Sequence, residues 1–111
     1  MSYSKRKKDN RFSSFVAIPR QTLNSNEWKT LSPGGKILYI HLKSKYNARN
    51  NGEIRLYYSE LNGIKGLSSP ATISKAIKEL ETLGWIKRTK FGGLYRYMNE
   101  FRLTGKFDSC L

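Results

Sequence analysis

Apolar positions recur along the chain in blocks whose spacing changes from helical to alternating and back. Phe15-Val16-Ala17-Ile18 is a short β-prone run cut by Pro19, a short strand or a tether. A first helix is expected from Asn24 or Ser25, either of which can cap free backbone N–H groups. It carries Glu27 in its first turn and turns Trp28 and Leu31 inward. Ser32-Pro33 predicts a sharp second start, because a proline at the first helical position gives up an N–H that has no partner anyway. That helix is expected to reach about Tyr46, with Ile37, Leu38, Ile40, His41 and Leu42 on a broad apolar side and Tyr39 and Tyr46 adding aromatic surface. Such a wide stripe predicts the central core helix. Asn47 to Gly52 is rich in turn residues. Glu53 to Tyr57 reads as a short strand with Ile54 and Leu56 on one side.

The second half repeats the alternation of helix and break. Ser59-Glu60-Leu61 opens a short helix expected to reach about Ile64, Lys65-Gly66 breaks it, and Leu67 is an apolar anchor. Ser68 or Ser69 then caps a helix with Pro70 in its first turn, running to Leu83 and stopping at Gly84, a residue suited to a left-handed helix end. Ile73, Ala76, Ile77, Leu80 and Leu83 recur at helical spacing and predict its buried face. Trp85 to Lys90 is β-prone, and Phe91-Gly92-Gly93-Leu94 predicts a hairpin, since glycine reaches the positive φ of tight turns. Tyr95 to Leu103 returns as the second strand, with Tyr95, Tyr97, Phe101 and Leu103 apolar or aromatic. Residues 1–13 have nothing to bury and read as a disordered basic arm; 14–104 form the domain, and 105–111 read as a flexible tail. The expected class is mainly α with a small β-sheet (α+β), in the order α-α-β-α-α-β-β. A chain of 111 residues suits one core.

Charge changes this picture from fold towards partner. Twenty-one Lys plus Arg face eight Asp plus Glu, a formal net charge of +13. Such an excess opposes compaction and attracts polyanions, nucleic acid first and an anionic membrane surface second. The single cysteine, Cys110, makes no internal disulfide or multi-cysteine metal site, and a reducing cytoplasm is the simple expectation. No apolar run has the length of a spanning helix or a secretory signal, so no membrane partner is expected. His41 has no ligand pattern around it, and Gly34-Gly35-Lys36 lacks the spacing of a phosphate loop. The carboxylates offer no paired acid and base, so neither an enzyme, a metal nor a cofactor is expected.

Two helices joined by a tight glycine turn and followed by a basic hairpin predict a helix-turn-helix reader of the DNA major groove. Ser69, Ala71, Thr72, Lys75 and Lys78 lie near the exposed N-terminal half of its second helix. Their hydroxyls, methyl and ammonium groups suit phosphates and base edges. Lys87, Arg88, Lys90 and Arg96 decorate the hairpin, where they suit backbone phosphates or protect an edge strand from pairing. Lys5, Arg6, Lys7, Lys8 and Arg11 give a basic arm that can track phosphates or serve only as a solvated tail. Tyr57, Tyr58, Tyr95 and Tyr97 serve strand packing or, less commonly, base stacking.

The stretch from Leu67 to Arg88, Leu-Ser-Ser-Pro-Ala-Thr-Ile-Ser-Lys-Ala-Ile-Lys-Glu-Leu-Glu-Thr-Leu-Gly-Trp-Ile-Lys-Arg, resembles the recognition helix and first wing strand of bacterial winged helix-turn-helix regulators. It differs by an extra residue around Ser69-Pro70. A wider set resembles small winged-helix proteins of bacteriophages and plasmids. The set is Phe15 to Pro19, Leu31-Ser32-Pro33, Tyr46 to Gly52 and Phe101-Arg102-Leu103-Thr104. The resemblance implies sequence-specific binding of double-stranded DNA, in transcription regulation or as a replication-initiation accessory of a mobile element. A protein-interaction module and an RNA or single-strand binder are the alternatives. No dimerisation helix stands out, so homodimer formation stays open.

Overall fold

Two Ser-Pro pairs start the two long helices. Ser32 is the N-cap of one, its Oγ accepting from the Gly35 N–H at 3.1 Å, with Pro33 in the first position. Ser69 caps the other, accepting from the Thr72 N–H at 3.2 Å ahead of Pro70. The computed structural model describes residues 15–90 and 98–111. Its elements are α1 (Arg20–Leu23), α2 (Asn26–Lys29), α3 (Pro33–Lys45), β1 (Ile54–Tyr57), a 3-10 turn (Tyr58–Leu61), α4 (Pro70–Thr82), β2 (Ile86–Lys90) and β3 (Met98–Leu103). Together they make a small α+β protein whose three strands form one antiparallel sheet in the order β1-β3-β2.

The end of α4 follows from Gly84. Its φ of 89° lets the Trp85 N–H return to the Leu80 carbonyl at 2.9 Å while the Gly84 N–H bonds Glu81 at 3.2 Å. This six-to-one and five-to-two pair closes the helix and delivers the chain straight into β2. In the sheet, Ile54 pairs with Phe101 and Ile86 with Leu103. These residues, with Leu56, are buried on the face that packs against α3 and α4. Leu38, Tyr39 and Leu42 of α3 and Ile73, Ala76, Ile77 and Leu80 of α4 complete the core. Trp28, Tyr39, Trp85 and Phe107 stack edge-on or tilted at its end, with Tyr39 and Trp85 centroids 5.1 Å apart.

Several elements differ from the sequence pattern. The expected first helix is two single turns, α1 and α2. Ser25 caps the second by accepting from the Trp28 N–H, and Trp28 and Leu31 are buried as their spacing predicts. The expected Ser59–Ile64 helix is only the 3-10 turn. Gly63 and Gly66 both take positive φ and turn the chain, so no further helical bonds propagate. Ile40 is 40% exposed, because α3 turns Leu38, Tyr39 and Leu42 inward and leaves Ile40 on the far side. The hairpin at Phe91–Leu94, the start of the returning strand at Tyr95, and the 1–13 arm lie outside the described residues.

The expected flexible tail at 105–111 is tied to the core instead. Phe107 packs on Trp85, its centroid 4.8 Å away. Asp108 is buried, accepting from the Tyr39 hydroxyl at 2.5 Å and from Lys43 Nζ at 2.6 Å. Lys43 also donates to the Ala17 carbonyl, so one buried ammonium fastens both ends of the described chain to α3. A buried charge persists only when paired, which is why an otherwise polar tail is held. Burial first, then the Asp108 carboxylate, pushes the Tyr39 phenol well above the ordinary tyrosine range, so Tyr39 is a permanent donor here.

Candidate nucleic-acid interface

The amphipathic pattern of α4 fixes what it shows to solvent. With Ile73, Ala76, Ile77 and Leu80 inward, Ala71, Ser74, Lys75, Lys78 and Thr82 form one exposed stripe at helical spacing. Of the residues expected here, Ala71, Lys75 and Lys78 are brought together. Ser69 and Thr72 stand half-buried at the N-terminal edge with their hydroxyls 2.8 Å apart, engaged in the cap. Ser74 and Thr82, outside the expected set, join the stripe. Ser74 lies 3.1 Å from the Tyr58 hydroxyl, which ties that tyrosine to α4.

Both carboxylates of α4 are used inside the molecule. Glu79 accepts from the Ser32 N–H at 2.9 Å and the Ser32 hydroxyl at 2.6 Å, clasping the start of α3. Glu81 takes a two-pronged contact from Arg88, at 3.0 and 2.9 Å. The exposed stripe is therefore left with Lys75 and Lys78 and with hydroxyl and methyl groups, a combination suited to phosphates and base edges.

The strand cations divide. Arg88 is half-buried on Glu81 and lies 5.9 Å from the Phe101 ring centroid, so it is a structural link from β2 to α4 as well as a cation. Lys87 and Lys90 are exposed. Lys87 alternates with the buried Ile86, so it lies on the sheet face away from the helices, directly opposite Arg102 of β3. Arg102 lies outside the expected set; its signal is the alternation Phe101-Arg102-Leu103, legible only once the strand is placed. A bulge between Arg88 and Lys90 shifts the register, and the Thr89 hydroxyl donates to the Gly52 carbonyl at 2.6 Å. Arg96, Lys5, Arg6, Lys7, Lys8 and Arg11 lie outside the described residues, as do Tyr95 and Tyr97.

A second carboxylate clasp supports the turn before α4. Glu60 accepts from Lys45 Nζ at 2.7 and 2.6 Å and from the Tyr57 N–H at 3.1 Å, and His41 Nε2 lies 2.9 Å away. Burial works to raise the Glu60 pKa, but these bonds outweigh it and hold the carboxyl below its ordinary value. His41 is thus a packing and pairing residue on α3. Among the described residues no cluster of metal-ligating side chains forms, and no helix is long and apolar enough to cross a membrane. Comparison of the chain with protein-family models, curated proteins and solved structures finds no match.

Proposed function

We propose that this protein is a winged-helix binder of double-stranded DNA, with α4 as the element presented to the major groove. The observation that carries the reading is the α4 stripe: Lys75 and Lys78 stand exposed among Ala71, Ser74 and Thr82, while Glu79 and Glu81 are both tied up elsewhere. An exposed helix face with its acids withdrawn is the electrostatic footprint of a groove reader. The order α3, β1, 3-10 turn, α4, β2, β3 and the β1-β3-β2 sheet support the winged-helix assignment. In this reading the 3-10 turn stands where a longer first helix is usual. Arg96, from the sequence, supplies a flanking phosphate contact. The protein acts by binding in the cytoplasm and has no catalytic chemistry of its own. The family resemblance favours a role in transcription regulation or replication initiation on a mobile element.

The test is fluorescence anisotropy with mixed-sequence duplexes across a salt series, followed by selection of bound sites from a random duplex library. Affinity is expected to fall steeply with salt. Lys75→Gln should lower the log–log salt slope by about one and relax the selected motif. Absence of salt-sensitive binding to any duplex overturns the proposal.

A further inference from the structure

The outer face of the sheet is not used by the α4 reading, yet it is basic. Ile54, Leu56, Ile86, Phe101 and Leu103 point into the core, so Arg55, Tyr57, Lys87 and Arg102 lie on the opposite face. Lys87 and Arg102 are direct cross-strand partners, and both are exposed. Like charges placed there repel, with Cβ atoms only about 5 Å apart. Lysine on the edge strand β2 has an ordinary use in blocking strand addition, but Arg102 sits on the central strand, where no edge needs protection. Nearby acid does not cancel the pair. Glu100, on the same face, is nearly buried, is held by Arg55 Nε at 3.2 Å and stands directly opposite the exposed Lys90. The exposed Glu53, just before β1, offsets at most one of these cations.

We infer that the outer sheet face takes a second segment of duplex DNA through Lys87 and Arg102, so that one molecule bridges two duplexes. The inference rests on the duplex reading of α4. A phosphodiester backbone placed between two adjacent cations turns their repulsion into attraction and releases condensed counterions. The α4 stripe and the outer sheet face border the same core from different sides and look away from it. In this arrangement a straight duplex lying on Lys75 and Lys78 leaves Lys87 and Arg102 to the second one. Lys87 accordingly moves from the flanking contacts of the first duplex to the second.

The experiment uses the full chain with two mixed-sequence duplexes of equal length, one donor-labelled and one acceptor-labelled. Energy transfer reads bridging, anisotropy reads binding of one duplex, and light scattering on the complex reads protein copies. With duplex in excess, the wild type should show transfer in a complex of one protein and two duplexes. Arg102→Gln should bind one duplex as the wild type does, lose most of the transfer, and lower the salt slope of the second binding step by about one. Arg102→Lys should restore transfer. Unchanged transfer in Arg102→Gln overturns the inference, as does transfer carried only by complexes with two protein copies. A wild type that binds one duplex and never two also overturns it while leaving the α4 reading standing. A wild type that binds no duplex overturns both.

Discussion

Removing the Asp108 carboxylate strands a cation in the core. The Lys43 and Asp108 side chains are 4% and 1% exposed, and Nζ sits 2.6 Å from Oδ2. The same oxygen accepts from the Tyr39 hydroxyl at 2.5 Å, and Oδ1 accepts from the Cys110 N–H at 2.9 Å. Asp108→Ala leaves Lys43 with only the Ala17 carbonyl and deprives Tyr39 of its acceptor. Breaking a buried ion pair from one side costs about 3–5 kcal/mol. The lost Tyr39 bond overlaps with that figure, because both donors use one carboxylate. Against a total stability of roughly 5–15 kcal/mol, the variant loses a large part of its margin. Asp108→Asn keeps an acceptor for Tyr39 but no charge, and should fall between. The double variant Lys43→Met, Asp108→Leu should cost far less than Asp108→Ala, since replacing both partners by apolar groups abolishes the stranded charge. Urea unfolding followed by tryptophan fluorescence suits the question, because Trp28 and Trp85 lie in the aromatic cluster above this pair. A loss below about 1 kcal/mol for Asp108→Ala, the size of one ordinary hydrogen bond, refutes the reasoning. So does a double variant as unstable as the two single losses summed.

Two other clasps give predictions of sign. The folded Glu60 carboxyl lies below its ordinary value, so its contribution to stability is present above the unfolded glutamate pKa and is lost as pH falls through the folded one. Unfolding monitored across the acid range should therefore show a flatter pH dependence for Glu60→Gln than for the wild type, and identical profiles contradict the clasp. At Gly35, an added Cβ would lie 2.5 Å from Glu79 Oε1. Gly35→Ala gains up to about 1 kcal/mol of helix propensity but displaces a carboxylate that holds Ser32. Losing those bonds costs about 1–3 kcal/mol. The substitution should destabilise the wild type and stabilise a Glu79→Ala background, and thermal melts showing the same sign in both backgrounds reject the steric link.

Features written in neighbouring residues were legible from sequence, and those that depend on distant partners were not. Ser32-Pro33, Ser69-Pro70 and Gly84 fix their helix ends through bonds spanning a few residues, and the α4 apolar spacing matches its buried face except at Leu83, the C-cap residue, which is 43% exposed. The Ser59–Ile64 stretch has good helix formers only at Glu60 and Leu61, and the turns at Gly63 and Gly66 and the bonds of Lys45 to Glu60 accompany its 3-10 form. The tail looked free because its one buried acid finds its base 65 positions away. On the candidate interface, the exposure of Lys75 and Lys78 follows from periodicity. The engagement of Arg88 and the pairing of Lys87 with Arg102 need the α4–β2 packing and the strand register. No single-strand pattern contains either.

The sorting of charge gives the positive excess a meaning that net charge alone lacks. Surface charge that serves only solubility mixes both signs in the open. Here Glu60, Glu79, Glu81, Glu100 and Asp108 are each engaged by a donor of the chain, leaving Glu27 and Glu53 exposed among the described carboxylates. The cations they engage, Lys43, Lys45, Arg55 and Arg88, join elements to one another. Lys75, Lys78, Lys87, Lys90 and Arg102 are left exposed. The acids thus hold the frame together while taking little negative charge to the surface, and exposed cations remain on α4, on the sheet and elsewhere, at Arg20, Lys29, Arg49, Lys65 and Lys106. Self-repulsion of that surface works against the folded state, and a bound polyanion relieves it. Binding and folding are accordingly linked: duplex DNA should raise the unfolding midpoint most at low salt, where both the repulsion and its relief are largest. A midpoint shift by duplex that does not shrink as salt rises would separate the two and remove the electrostatic basis of the interface.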